Sequence, residues 1–415
     1  MHILFLTDNF PPEVNAPASR TFEHCREWVK AGCKVTVITG VPNFPIGRVY
    51  PGYVNRLWQA EEMGGIRVIR VWTFIAANKK FTKRIIDYTS YMVSAILAAP
   101  CIRGTDVVIA TSPLLFTAMA GYVVGRLKRI PFVFELRDLW PESIKAVGAM
   151  GDSPVIRFFE CIEMFLYRKA DLIVALTHSF KERLVERKIP AEKIEIVTNG
   201  VDLTRFRPTE KDAELVAELG LDGKFVAGYI GTHGMAHSLE TLLNGADMLQ
   251  GNPNAADIHF LLIGDGAEKQ KLVERAKQSA LKNVTFIDAV PKSEIARYWS
   301  LLDAVIIHLK RTPLFRTVIP SKLFEAMGMG IPVLMGVEGE AARIVEGEQA
   351  GLAFVPEDHL MLVDRLLFLK NDPVTHNRLR ANCLAAAPKY RRDELAVRML
   401  KLIERTAVCK RKKPL

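Results

Sequence analysis

The sequence predicts an α/β fold of two doubly wound, Rossmann-like units, one after the other. Short, near-continuously apolar, β-branched runs alternate with longer stretches of helical periodicity, the pattern of parallel strands covered on both faces. The alternation runs to about residue 198 and restarts at 224. Between them, Val201-Asp202-Leu203-Thr204-Arg205-Phe206-Arg207-Pro208 leads into a charged helix, as a junction would.

In the first half, strands are expected at 2–7, 34–39, 66–72, 107–111, 132–136, 172–177 and 194–198. Helical periodicity fills 17–31, 81–99, 114–127, 153–168 and 179–187. In the second half the strands are 224–230, 259–263, 284–288, 304–309, 332–336 and 351–355. Helices are expected at 238–249, 267–281, 291–300, 320–328, 339–346 and 357–370, and a last helical stretch covers 373–405. Domain limits follow at 1–205 and 206–385, with 386–415 a final helix returning to the first domain and ending in a basic tail. Ligands of open α/β sheets sit beyond the carboxyl ends of the strands, so two such sheets facing a central cleft would hold the chemistry there.

Composition agrees: 415 residues, 49% hydrophobic and 8% aromatic, are enough for two or three domains with substantial cores. Met1 is followed directly by the strand-like His2-Ile3-Leu4-Phe5-Leu6, so no cleaved signal peptide is expected. Cys25, Cys33, Cys101, Cys161, Cys383 and Cys409 are scattered without a CxxC, the usage of reduced thiols in a cytoplasmic protein, and zinc is not expected. A formal net charge of +10 asks for an acidic partner. No nucleic-acid motif accompanies the charge, which clusters at Lys79, Lys80, Lys83, Arg84 and in Lys410-Arg411-Lys412-Lys413. The 79–101 stretch is too short and too interrupted by Asp87 to span a membrane. It reads either as a basic amphipathic helix lying on an anionic membrane surface or as an ordinary cover of the first sheet.

The most informative segment runs from Ile319 to Leu334. Pro320 suits a first helical position, and Ser321, Lys322 and Leu323 then open a short helix ended by Gly328 and Gly330. Lys322 and Glu325 share one face near the positive helix end, where a diphosphate can meet backbone N–H groups and the ammonium. Glu325 can accept both hydroxyls of a ribose. The plain alternative is a solvated ion pair on a surface helix. Elsewhere, Glu135-Leu136-Arg137-Asp138-Leu139-Trp140-Pro141-Glu142 concentrates two acids, an Arg and a Trp at a strand end. Asp138 there could act on a hydroxyl, or pair with Arg137 in a loop capped by Trp140. His233, in the Gly-rich turn 231–237, could bond a diphosphate or simply be exposed.

Together with the Ile319–Leu334 segment, three further segments stand in order. They are Pro11 to Arg20 followed by Gly32 to Ile38, Pro42 to Tyr53, and Asn199-Gly200-Val201-Asp202 with Phe206 and Pro208. With them the chain resembles the family-four glycosyltransferases of the GT-B fold, over essentially its whole length. The 42–53 stretch and Glu135 to Ser143 are similar to a bacterial subgroup building O-antigen and capsule repeat units, including proposed N-acetylfucosaminyl transferases. The chain also departs from the family pattern. Thr317 stands where the first of two glutamates is usual, Asn15-Ala16 where a Gly-Gly is usual, and Thr232 and His237 where an Arg and a Lys are usual.

The resemblance implies a retaining, metal-independent transferase without a cofactor. The nucleotide would bind the second domain and the acceptor the first. It implies catalytic roles for Asp138 and Glu325, and substrate contacts from Asn15, Ala16, Arg137, Gly231, Thr232, His233, Val290, Arg316, Ser321, Lys322 and Leu323. The partners it implies are a UDP-sugar donor, a polyprenyl-diphosphate-linked acceptor and the inner, anionic face of the plasma membrane, with no nucleic acid. A UDP-sugar 2-epimerase of the same fold and a non-catalytic nucleotide-sugar-binding protein remain as alternatives. A dinucleotide dehydrogenase is disfavoured, because no GxGxxG follows the first strand.

Overall fold

A computed structural model describes residues 1–44, 47–75, 81–140, 142 and 153–411. The chain forms two compact units: Met1–Thr198 with the segment from Arg392 onward, and Asn199–Arg391. The first unit runs β1 (His2–Leu6), α1 (Ala16–Lys30), β2 (Lys34–Thr39), β3 (Trp58–Met63), β4 (Ile66–Val71), α2 (Phe81–Ala98), β5 (Val107–Thr111), α3 (Leu115–Lys128), β6 (Phe132–Leu136), α4 (Pro154–Lys169), β7 (Leu172–Ala175), α5 (His178–Glu186) and β8 (Ile194–Ile196). The second runs α6 (Ala213–Glu218), β9 (Phe225–Ile230), α7 (Glu240–Gln250), β10 (Ile258–Ile263), α8 (Lys269–Gln278), β11 (Val284–Ile287), α9 (Ile295–Trp299), β12 (Ala304–His308), α10 (Lys322–Met329), β13 (Val333–Gly336), α11 (Glu340–Gly347), β14 (Gly351–Ala353), α12 (His359–Asn371) and α13 (Pro373–Ala386). The last helix, α14 (Arg392–Arg411), belongs to the first unit.

The sheet orders are β3-β4-β2-β1-β5-β6-β7-β8 and β11-β10-β9-β12-β13-β14. Every pairing is parallel except β3 with β4. In both sheets the order reverses beside the unit's first parallel strand, between β1 and β5 and between β9 and β12, and such switch points open ligand crevices at the carboxyl ends. Alternation within the buried strands divides the side chains between two layers. Ile3, Phe5, Val35, Val37, Val107 and Ile109 pack with Trp28 of α1 and with Met399 and Ile403 of α14. On the other face, α3 lies close on Ala110 and Phe132 at Gly121. There α2, α3 and α4 lie side by side, linked by the ring pairs Tyr88–Phe116 (6.1 Å) and Phe116–Phe159 (5.9 Å).

Three sequence expectations change. Strand β3 is new: its residues alternate between exposed and half-buried, and Glu61 and Glu62 hid a strand whose partner begins just past Gly64-Gly65. The 373–405 stretch is two helices, interrupted at 387–391 around Pro388, which cannot continue the first. The chain passes between units at 198/199 and 391/392 rather than at 205/206 and 385/386. The reason lies in the second unit, where Val201 bonds to Tyr390 (2.9 Å) and Phe206 packs on Trp299 (6.5 Å). Helix α14 is held on α1 by the Arg392–Glu23 ion pair and by the Trp28 indole donating to the Ala396 carbonyl (2.8 Å).

Pro45, Ile46, Lys79, Lys80, Pro141, Ser143, Lys412 and Lys413 lie outside the described residues. Among those described, no helix is long and apolar enough to cross a membrane.

Candidate functional site

The crevice of the second unit is built by strands that part. β9 and β10 are in register over six residues, whereas β9 and β12 pair only at Ala227↔Ala304 and Gly228↔Val305. Beyond Gly228 the end of β9 is therefore open on that side. Gly231 follows with φ +141°, and a Cβ there would run into the Lys322 ammonium. At Gly264, just past β10 with φ +143°, a Cβ would run equally hard into the Gly231 carbonyl. No L side chain fits either position without strain, so two bare backbone turns meet beneath one lysine.

Lys322 begins α10 and reaches back to β9, its Nζ 3.2 Å from the Tyr229 hydroxyl and 4.3 Å from the ring centre. Burial pulls its pKa down to about 8, and Glu325, one turn on, opposes the fall. Glu325 is half-buried on the same helix. Ser321 stands at the helix start with no capping bond from its hydroxyl, and the buried Leu323 donates its amide to the Pro320 carbonyl (3.1 Å). Because that amide is occupied, the ammonium, with three donors, is the better placed of the two to meet an anion.

His233 is fully buried, and neither ring nitrogen has a hydrogen-bond partner among the described residues. Its backbone is fixed by bonds to the Asp265 carbonyl and from the Glu268 amide, both 2.9 Å. Burial, then Lys269 and Lys322, push its pKa down to about 4 against the pull of Asp265. The ring is thus neutral near pH 7, with one donor and one acceptor unsatisfied, each costing ~1–3 kcal/mol. His237 is likewise held neutral, pushed down to about 3 mainly by burial. Thr232 is exposed, with its carbonyl taken by the Tyr229 hydroxyl (2.7 Å). Val290 lies half-buried just past β11. Arg316 is largely exposed and leans on Glu338 at 3.7 Å, so it is already engaged by a carboxylate.

Gly231, Thr232, His233 and Lys322 therefore come together. The sequence reading missed two supporting residues, Tyr229 and Lys269. Lys269 ties the ends of β10 and β11 through the Gly264 (2.8 Å) and Ile287 (3.1 Å) carbonyls. Neither belongs to a local motif, and only the sheet order brings them to the turn.

The crevice of the first unit is of another character. Asn15 spends its side chain on structure: Oδ1 caps α1 through the Ala18 amide (2.8 Å), and Nδ2 donates to Asn9 (2.7 Å), which donates in turn to Asp8 (2.6 Å). Ala16 beside it is exposed. Arg137 donates to the Pro17 carbonyl (3.2 Å), and burial lowers its pKa to about 10. The Ser112 hydroxyl accepts the amides of both Arg137 (2.7 Å) and Asp138 (3.2 Å), which sets the loop that presents half-buried Asp138. Trp140 packs on Phe159 of α4 (5.0 Å) instead of capping that loop. Around β1, burial raises Asp8 to about 6 and Glu13 to about 7, although Glu13 accepts the Asn43 and Phe44 amides at 2.9 Å. Asp87 rises to about 7, first by burial and then by the charge of Asp8. Among the described residues, no group of three or more His, Cys, Asp or Glu side chains could hold a metal ion.

Comparison with known proteins gives two consecutive matches. Residues 15–200 match the glycosyl transferase 4-like domain, and residues 212–389 match the glycosyl transferases group 1 family. WcaI of Escherichia coli K12, named for colanic acid biosynthesis, is 26% identical over 340 residues, 80% of this chain and 82% of that protein. A GDP-mannose-dependent alpha-mannosyltransferase of Mycobacterium tuberculosis is 24% identical over 359 residues, 85% of this chain and 83% of its own. Among solved structures, sucrose-phosphate synthase from Thermosynechococcus elongatus superposes with a TM-score of 0.78 at 18% identity, covering 98% of this chain and 99% of that one.

Proposed function

Because the chain is a glycosyltransferase of the GT-B fold, with a 4-like domain followed by a group 1 domain, we propose that it elongates a polysaccharide repeat unit on a lipid. The donor is a UDP-sugar, with an N-acetylated hexosamine or deoxyhexosamine transferred with retention. The acceptor is a polyprenyl-diphosphate-linked saccharide of O-antigen, capsule or exopolysaccharide synthesis at the cytoplasmic membrane face. The names of relatives such as WcaI support a polysaccharide role, and the 42–53 and 135–143 segments support the N-acetylfucosaminyl subgroup.

The observation that carries the reading is the bare turn of Gly231 and Gly264 beneath Lys322, with His233 buried and unsatisfied beside it. As the glycosidic bond stretches, negative charge grows on the leaving diphosphate. An ammonium held in a poorly solvated place meets that charge more strongly than it would in water. Glu325 accepts the ribose hydroxyls, and the His233 N–H adds a neutral donor. This arrangement supplies without a metal the charge that the leaving group needs. In the first unit, Asp138 orients or deprotonates the acceptor hydroxyl.

Titration calorimetry with UDP and GDP, followed by transfer assays on synthetic lipid-linked acceptors, tests the reading. UDP bound in preference to GDP and a lengthened lipid product are expected, with activity intact in EDTA. Preference for GDP, the nucleotide in the mycobacterial relative's name, overturns the base. An epimer formed without acceptor points to the 2-epimerase, and binding without turnover to a sensor.

A further inference from the structure

We infer that the outer face of α2, α3 and α4 is an anionic-membrane docking surface in which α4 inserts an aromatic stripe. On α4, Val155, Phe158 and Phe165 are 47%, 61% and 42% exposed, and the exposed Cys161 stands between them. Spacings of three and four residues place all four on one side of the helix. The opposite side, with Ile156, Phe159, Leu166 and Tyr167, is buried. Neighbouring α2 exposes Ile86, Val93 and Leu97, and α3 exposes Leu127. An apolar surface shared by three adjacent helices is the kind that marks an interaction site rather than scattered exposure.

Charge identifies the occupant. The same helices expose Lys83, Arg84, Arg126, Arg157, Arg168 and Lys169. Their only acids among the described residues are Asp87 and Glu160, both half-buried, and Glu163, buried and bound by Arg187 (2.9 Å) and the Tyr167 hydroxyl (2.6 Å). A second copy docked symmetrically would set cations against cations. Aromatic side chains rimmed by cations suit lipid tails beneath anionic headgroups. This face is made of residues separate from the donor site, although its purpose rests on the lipid-linked acceptor proposed above. It differs from attachment by the 79–84 basic cluster alone, because an inserted stripe resists salt.

The full chain is tested with vesicles of phosphatidylglycerol and phosphatidylcholine in equal parts, against phosphatidylcholine alone. Sedimentation with the anionic vesicles is expected, weakened but not abolished by high salt. Phe158→Ser should reduce binding about tenfold, as loss of a buried aromatic ring implies. Val374→Ser, removing an even more exposed apolar residue of the second unit, should leave it unchanged. A polarity-sensitive dye on Cys161, in a Cys101→Ser, Cys409→Ser background, should report an apolar surrounding only with anionic vesicles. Unchanged binding by Phe158→Ser, a dye that stays in water, or a Phe158-dependent dimer in solution would each overturn the proposal. UDP binding and transfer to a short soluble acceptor are measured on the same variants. Their loss in the parent chain with vesicle binding intact would sink the donor-site reading and leave this surface standing.

Discussion

The two units share a topology and differ in charge at the same place. Each sheet reverses its order beside its first parallel strand, and each opens a crevice at the carboxyl ends. In the second unit that crevice holds Lys322, a neutral His233 and two glycines whose missing side chains make room for the Lys322 side chain and the Gly231 carbonyl. In the first, the corresponding turn carries Asp8 and Glu13, with Asp87 nearby, all pushed up by burial. A diphosphate entering the first crevice would meet these carboxylates beside the buried Arg137; one entering the second would meet an ammonium whose desolvation it would relieve. The shared fold makes two crevices, and the residues at the strand ends give them different charge.

The assignment is broken most decisively at Asp138. Asp138→Asn keeps the shape and removes the charge. If the first crevice activates the acceptor, turnover should fall ~10²–10⁴-fold while UDP affinity stays near that of the parent, the signature of an interaction made on the way to the transition state. Unchanged turnover in single-turnover assays would return Asp138 to the loop held by Ser112. Next in size is Lys322→Ala. Loss of a charged hydrogen bond worth ~1.5–3 kcal/mol should weaken UDP roughly tenfold to a hundredfold and spare uridine. If calorimetry shows uridine weakened equally, the lysine only holds the fold, and the contrast between the crevices loses its main support.

How much of this was legible depends on whether the information is local. The strands were legible because burial on both faces leaves continuous apolar runs such as Val107 to Thr111. Strand β3, at the edge with Glu61 and Glu62, gave no such run. Lys322 and Glu325 were readable as a pair because three residues of helix separate them. Tyr229 lies 93 residues from Lys322 in the chain, and Ser112 lies 26 from Asp138, so neither partnership leaves a local pattern. His233 was legible as polar in a turn, but its burial comes from packing beside Tyr229 and Phe286.

The crevices should also respond oppositely to pH. Lys322 has its folded-state pKa depressed from 10.5 to about 8, so its charge costs stability below pH 8 and the cost is relieved as pH rises toward 10.5. Diphosphate binding restores the charge, so UDP affinity should decline as pH rises through about 8, with proton uptake visible in calorimetry. Affinity flat across that range would remove Lys322 from the phosphate. Asp87 goes the other way. Raised from 3.8 to about 7, it contributes stability that is complete below 3.8 and lost as pH rises through about 7. Asp87→Asn should therefore flatten the decline of thermal stability across that window. A slope identical to the parent's would mean the proton is bound elsewhere in the first unit.

The smallest expected effect is the sharpest test of the second crevice. His233→Met replaces a buried imidazole with a flexible apolar side chain that needs no hydrogen bond. If the imidazole is kept unsatisfied for a ligand, removing it should stabilise the ligand-free chain by ~1–3 kcal/mol, the cost of an unpaired buried polar group. For a unit of this size that raises the melting temperature by roughly 2–4 °C per kcal/mol. The same change should weaken UDP by about threefold to tenfold, because a neutral donor is worth ~0.5–1.5 kcal/mol. The two effects have opposite signs, and that opposition is what tells a binding residue from a packing one. A histidine needed only for packing would lose stability on replacement and leave UDP affinity alone. Thermal melting with and without UDP reads both at once: the variant should start higher and gain less.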